Sequence, residues 1–169
     1  MKIMRAESLS DAAPDTEAAR GYDGMIEDLL EWPYWIVDIL PGQVPAQSSG
    51  QYFAVERYYR QAERLKSIRR RYAEILLRLN CYYDMAVSFD SCASWETNPD
   101  PESFVGRVAG LSGNEFLRTV FFEQMAMIDY DHNDTCMTVY DPESLLLPKI
   151  RALAAAEGFF VWTPPQVEP

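Results

Sequence analysis

Along Gln51 to Asn80 the apolar positions recur as Val55, Tyr58, Ala62, Leu65, Ile68, Tyr72, Ile75 or Leu76, and Leu79. Steps of three and four residues keep one stripe on one side of a helix, so the pattern predicts a single long helix over 51–80. Ser48 and Gln51 stand at capping-box spacing at its start, and Asn80, which tolerates the left-handed conformation, suits its end. At 1.5 Å per residue such a helix would run roughly 40 Å and overhang a sheet of ordinary strands. On either side the pattern changes to short β-branched and aromatic runs. Tyr34 to Leu40, closed by Pro41 and Gly42, and Tyr82 to Phe89 predict two strands, completing a β-α-β unit.

Upstream, Met25, Ile26, Leu29 and Leu30 lie at helical spacing and predict a short helix from Gly21 that stops at Pro33. Downstream, DSCASWETNPD has turn residues and no period, and reads as a loop. One tetrapeptide then occurs twice, as Asp100-Pro101-Glu102-Ser103 and as Asp141-Pro142-Glu143-Ser144. Each copy predicts a helix start, with Asp as cap, Pro at the first position and Glu in the first turn. The flanking residues differ, so shared cap chemistry explains the echo without a repeat. The first helix would bury Phe104, Val105, Val108 and Leu111. The second contains Pro148, which predicts a break or a restart with Pro148 in the first turn, and Gly158 at the far end. Over 113–124 helical and strand patterns compete. The reading adopted is one helical turn and then a strand running into MAMIDYD, paired as a hairpin with TCMTVYD across His132-Asn133-Asp134. GFFVW supplies a last strand.

This order, β-α-β, an insert, then β-β-α-β, predicts an α+β fold. It has a single sheet of about five strands, mainly antiparallel or mixed, with the helices on one face. The order resembles a ferredoxin-like fold with an insertion, a resemblance of topology that implies no function. Residues 1–20, rich in Ala, Asp, Glu and Ser, read as a mobile tail, 21–163 as one globular domain and 164–169 as a second tail.

With 169 residues, 48% of them hydrophobic, the chain has material for a packed core. Three cysteines, Cys81, Cys92 and Cys136, are an odd number without framework spacing, which predicts free thiols and a cytoplasmic setting. There is no secretory h-region and no apolar run near the roughly 18 residues of a membrane span. The net charge of −11 opposes non-specific binding to nucleic acid or an anionic membrane. The long helix is the exception. Eight of the fifteen Lys and Arg lie in it against three Glu, a local +5 that leaves −16 elsewhere.

Five of those cations, Arg57, Arg60, Arg64, Arg71 and Arg78, fall within a sector of roughly 60° beside the apolar stripe. Guanidinium groups in a line suit phosphates, nucleic acid or an acidic protein surface, and are candidate binding residues. Glu56 with Arg60 and Glu74 with Arg78, both at i,i+4, offer an internal alternative. Asp129, Asp131 and Asp134 are candidates for a hard divalent cation, although the EF-hand positions for Gly and Glu hold Asp134 and Tyr140. Cys81, Cys92, His132 and Cys136 have zinc-ligand chemistry without the paired spacing that marks zinc sites. His132 is the sole histidine and falls in a turn, and there is no P-loop, dinucleotide fingerprint or nucleophile elbow. Asp84 and Asp90 could join the hairpin acids only if their strands are neighbours, and Trp32, Tyr34, Trp35, Tyr58, Tyr59, Tyr82 and Tyr83 suit core, pocket or interface. No cofactor and no catalytic set are indicated. The expected function is therefore that of a small acidic protein that binds a macromolecular partner, a protein with a basic surface, as an inhibitor or immunity-like protein would. Two rival readings are a metal-dependent phosphoester-acting enzyme using the acids of Asp129 to Asp134, and nucleic-acid or anionic-ligand binding by the arginine flank.

Overall fold

The computed structural model describes residues 16–165. The tail predicted for the first residues lies outside these except for its last five, which open a helix, α1 (Thr16–Leu30). Then follow β1 (Trp35–Asp38), α2 (Tyr52–Tyr59), α3 (Ala62–Asn80), β2 (Ala86–Ser88), β3 (Glu96–Thr97) and α4 (Pro101–Ala109). The chain ends with β4 (Phe116–Phe121), β5 (Ala126–Asp131), β6 (Cys136–Tyr140), α5 (Leu147–Ala156) and β7 (Phe160–Trp162). Among the described residues the fold is α+β, with five helices and one open seven-stranded sheet in the order β3-β2-β4-β5-β6-β1-β7. Every neighbouring pair is antiparallel. The first two strands of the expected β-α-β unit run in the same direction but are separated by β4, β5 and β6, so α3 crosses the width of the sheet.

Strand alternation sorts the residues into two faces. Val37, Val87, Leu117, Phe121, Ile128, Tyr130, Met137 and Val139 point to one face and meet Ile68, Tyr72, Leu76 and Leu79 of α3, Phe104 and Val108 of α4 and Ile150 of α5. Ala86, Val120 and Met127 point to the other and meet Met25, Ile26 and Leu29 of α1, with Trp95 beside them. The expectation that all helices share one face is thus corrected. The apolar side of α1 has a partner only on the second face, because α3, α4 and α5 already fill the first.

Four further expectations need correction. The long helix is two helices, since Gln61 is extended at φ −61° and ψ 137° and acts as the N-cap of α3. No Gly or Pro marks the corner. The stripe from Leu65 to Leu79 is buried as predicted, whereas Val55, Tyr58 and Ala62 are exposed. The capping box is absent, because Ser48 Oγ accepts from the Gly50 N–H at 3.2 Å and Gln51 makes no side-chain cap bond. Residues 113–124 hold strand β4 and then a 3-10 turn at Phe122–Gln124, closed by Met125 at φ 48°, so this stretch folds back as a second hairpin instead of extending one strand. The segment read as a plain loop contributes the short edge strand β3.

Other local signals hold. The β5–β6 hairpin forms with Ile128 opposite Val139. Helix α5 starts with Pro148 in its first turn. It ends in a Schellman arrangement, where the Gly158 N–H donates to Ala155 O at 3.1 Å and the Phe159 N–H to Ala154 O at 2.8 Å. Gly158 sits at φ 78°, which a side chain would strain. The two tetrapeptides diverge. Asp100 caps α4 by accepting from the Ser103 N–H at 2.9 Å. Asp141 is fully buried and accepts from Leu145, Leu146 and Leu147 at 3.0, 2.9 and 2.8 Å, with Ser144 at φ 56° between them. In the first copy the buried residue, Phe104, comes four positions after Asp and the helix starts at once. In the second it is Leu146, five positions on, and a turn intervenes before α5.

Candidate functional site

The arginine flank is divided by the corner at Gln61 and largely engaged within the molecule. Arg60 pairs with Glu56 at 2.9 Å and approaches Asp134 of the β5–β6 turn at 3.7 Å. Arg64 donates to Gln61 Oε1 and lies over the Tyr58 ring at 3.7 Å. Arg71 donates to the Glu157 carbonyl at 2.9 Å and stacks on Phe159 at 4.5 Å. Arg78 meets Glu157 at 2.7 Å and Glu74 at 3.9 Å. Arg57 alone of the five is exposed with no charged or hydrogen-bonded partner among the described residues. A sixth arginine went unflagged in sequence. Arg69 is buried and donates to Leu111 O at 2.6 Å, to Ala109 O at 3.5 Å and to the His132 carbonyl, tying the end of α4 and the β5–β6 turn to α3. Its place directly after Ile68, on the edge of the stripe, was the available signal.

The acids of the hairpin are dispersed in the same way. Asp129 lies opposite Arg118 in register and takes its guanidinium as a fork, Nε to Oδ1 at 2.8 Å and Nη2 to Oδ2 at 2.6 Å. Burial pushes the Asp129 carboxyl up, the arginine opposes it, and Arg118 is held above its ordinary pKa first by these hydrogen bonds. The bidentate geometry keeps the pair ionised at neutral pH. Asp131 accepts from the Asn133 N–H at 2.8 Å. Asp134 is raised by burial and then by Asp131. No group of three or more His, Cys, Asp or Glu among the described residues is arranged to hold a metal ion, and the four zinc candidates are not brought together. Asp84 accepts from Asn98 and Asp90 from Ser88 and Ser94, so neither joins the hairpin acids.

Two adjoining features stand out among the described residues. The first is α2, which buries none of its residues and shows Phe53 at 76%, Tyr58 at 47%, Val55 at 44% and Tyr52 at 38% exposure. The second is a groove of about 460 Å³ on the second face of the sheet, beyond the reach of α1. Its floor is Ile36 and Asp38 of β1, Cys136 of β6 and Trp162 of β7, which share that face by register. Its walls are the 40–50 loop, with Val44 and Pro45, and Tyr52 and Phe53 at the start of α2. Asp38 is 9% exposed, and its Oδ1 and the Nε1 of Trp162 are buried without a hydrogen-bond partner. Burial is the main cause that raises the Asp38 carboxyl, against the backbone N–H groups of Leu40 and Ile39. Burial likewise pushes the Cys136 thiol up to about 12, which keeps it protonated and a weak nucleophile at neutral pH. Sequence reasoning missed this site because its parts come from three strands and a loop far apart in the chain. Asp38 inside an apolar run was the one local sign.

No helix among the described residues is long and apolar enough to cross a membrane. No protein-family model matches the chain, and comparison with curated proteins and with solved structures finds no significant match.

Proposed function

We propose that the protein works by binding another protein, with α2 as the contact element. The supporting observation is a helix that buries none of its own residues and yet displays two tyrosines, a phenylalanine and a valine. Aromatic side chains exposed together have a cost in water and concentrate binding energy when covered. Charge complementarity favours a partner with a basic rim around an apolar cleft. The net charge is −11, and four of the five flank arginines are occupied within the fold, so the carboxylates dominate the long-range field. That field would steer a basic surface and speed association more than it tightens the complex.

The test is capture from the native cell by the wild type beside a Phe53→Asp, Val55→Asp variant, whose fold is checked by circular dichroism. One stoichiometric protein held by the wild type and lost by the variant, with an association rate that falls as salt rises, supports the reading. Equal capture by both proteins overturns it. So does co-purifying nucleic acid whose affinity drops steeply with salt, or metal-dependent turnover of a phosphoester by the purified chain.

A further inference from the structure

We propose that the groove between β1, β6, β7 and the 40–50 loop is a binding site for a small organic ammonium ion, whose charge docks on Asp38 and whose apolar body lies between Tyr52, Phe53 and Trp162. Three observations meet here. Asp38 lies in the floor with one carboxylate oxygen lacking a donor, and among the described residues no Lys, Arg or His reaches it within salt-bridge distance. A carboxylate buried without a partner is disfavoured, and a ligand that brings both charge and N–H donors removes the penalty. The charged neighbour that acts on it is Asp134, which adds negative potential and so favours a cation further.

The walls select the rest of the ligand. Aromatic faces carry negative potential at their centres and attract cations, best when water is excluded. Tyr52 and Phe53 meet edge to face with ring centroids 5.5 Å apart, and Trp162 lines the same groove. The unpaired indole N–H of Trp162 offers one donor, which suits an ammonium ligand that also carries a hydroxyl or carbonyl oxygen. A volume of about 460 Å³ falls within the range of small-molecule sites. The raised carboxyl of Asp38 accords with this, since an arriving cation favours its ionised form. The inference stands apart from the protein-binding role of α2, because the isolated chain suffices to test it.

The probes are benzylammonium and benzyl alcohol, alike in shape and different in charge, followed by the indole N–H resonances of the protein. The Trp162 signal is identified by its loss in Trp162→Phe. Benzylammonium should shift that signal saturably and bind at least about tenfold more tightly than benzyl alcohol, the effect of one hydrogen bond to a charged group. Asp38→Asn should abolish the preference while the other indole signals stay in place. Phe53→Ser, at an exposed position that the fold does not need, should weaken benzylammonium several-fold. Equal affinity for the two probes, a preference that survives Asp38→Asn, or the absence of a saturable shift would each overturn the proposal.

Discussion

The two faces of the sheet are built from the same strands and do different work. Against α3, α4 and α5 the inward residues are almost all apolar, and Tyr72 and Arg69 anchor their polar groups on backbone carbonyls there, while Thr119 Oγ1 has no partner among the described residues. The Tyr72 hydroxyl lies 2.6 Å from Thr135 O and 3.1 Å from Val37 O, and Arg69 spans three carbonyls. Against α1 the face carries the Arg118–Asp129 fork, and beyond α1 it opens into the groove with Asp38 and Cys136. A face served by three helices has its area used up in core packing. A face served by one helix leaves room, and polar groups left there without partners are where a ligand finds contact.

Four measurements would break or sharpen this contrast. The largest effect is expected on the first face. Phe121, fully buried there, should cost about 3–5 kcal/mol when cut to Ala, read from urea unfolding. Next comes the fork on the second face. Asp129→Ala leaves the half-buried Arg118 guanidinium without its carboxylate and should cost about 3 kcal/mol, whereas a double change to apolar residues of similar size should recover most of that loss. If the single variant is neutral, the fork is not the polar anchor of this face. Third, Leu29→Ala removes the deepest contact of α1 and should cost about 2–3 kcal/mol, at the low end because one helix can shift to close the space.

The smallest effect should have the opposite sign. Burial raises the folded-state pKa of Asp38, so its contribution is fully present below the unfolded value near 3.8 and is lost as pH rises through the folded value. At neutral pH the ionised carboxylate therefore destabilises the fold. Asp38→Asn should be neutral to stabilising by up to about 1 kcal/mol at pH 7, with the gain disappearing in acid. A variant less stable than the wild type at pH 7 would mean that the carboxylate is satisfied inside the fold, and the groove would lose its main claim to a ligand.

Much of the architecture was legible along the chain. The stripe from Leu65 to Leu79, the hairpin around His132 to Asp134, the Asp100 cap, and the Pro148 and Gly158 ends of α5 all appear where the pattern places them. Each depends on interactions within a few residues. The identical tetrapeptides show the limit of such reading. Asp100 closes a turn of its own helix, while Asp141 holds three N–H groups up to six residues away, because Leu146 rather than Leu145 is drawn into the core. The break at Gln61 was illegible for the same reason. Nothing local forbids a continuous helix there, but Arg64 on Tyr58 and Arg60 toward Asp134 fasten a corner that carries α2 off the sheet. Of the candidate site residues, the arginines were visible as a line, and their internal partners were not.

What the sequence determined by itself is the set of elements whose hydrogen bonds and apolar spacing are satisfied nearby, together with an acidic chain in which one basic helix stands apart. The tertiary structure decided which faces those elements cover. It placed α1 alone on the second face, exposed α2, spent most of the arginine flank on Glu157, Glu56 and neighbouring aromatic rings, and brought Asp38 and Trp162 from different strands to the lining of one groove. Charge and apolarity are read residue by residue, but whether a charge is paired and an apolar side chain covered depends on partners distant in the chain, and those meet only when the sheet closes.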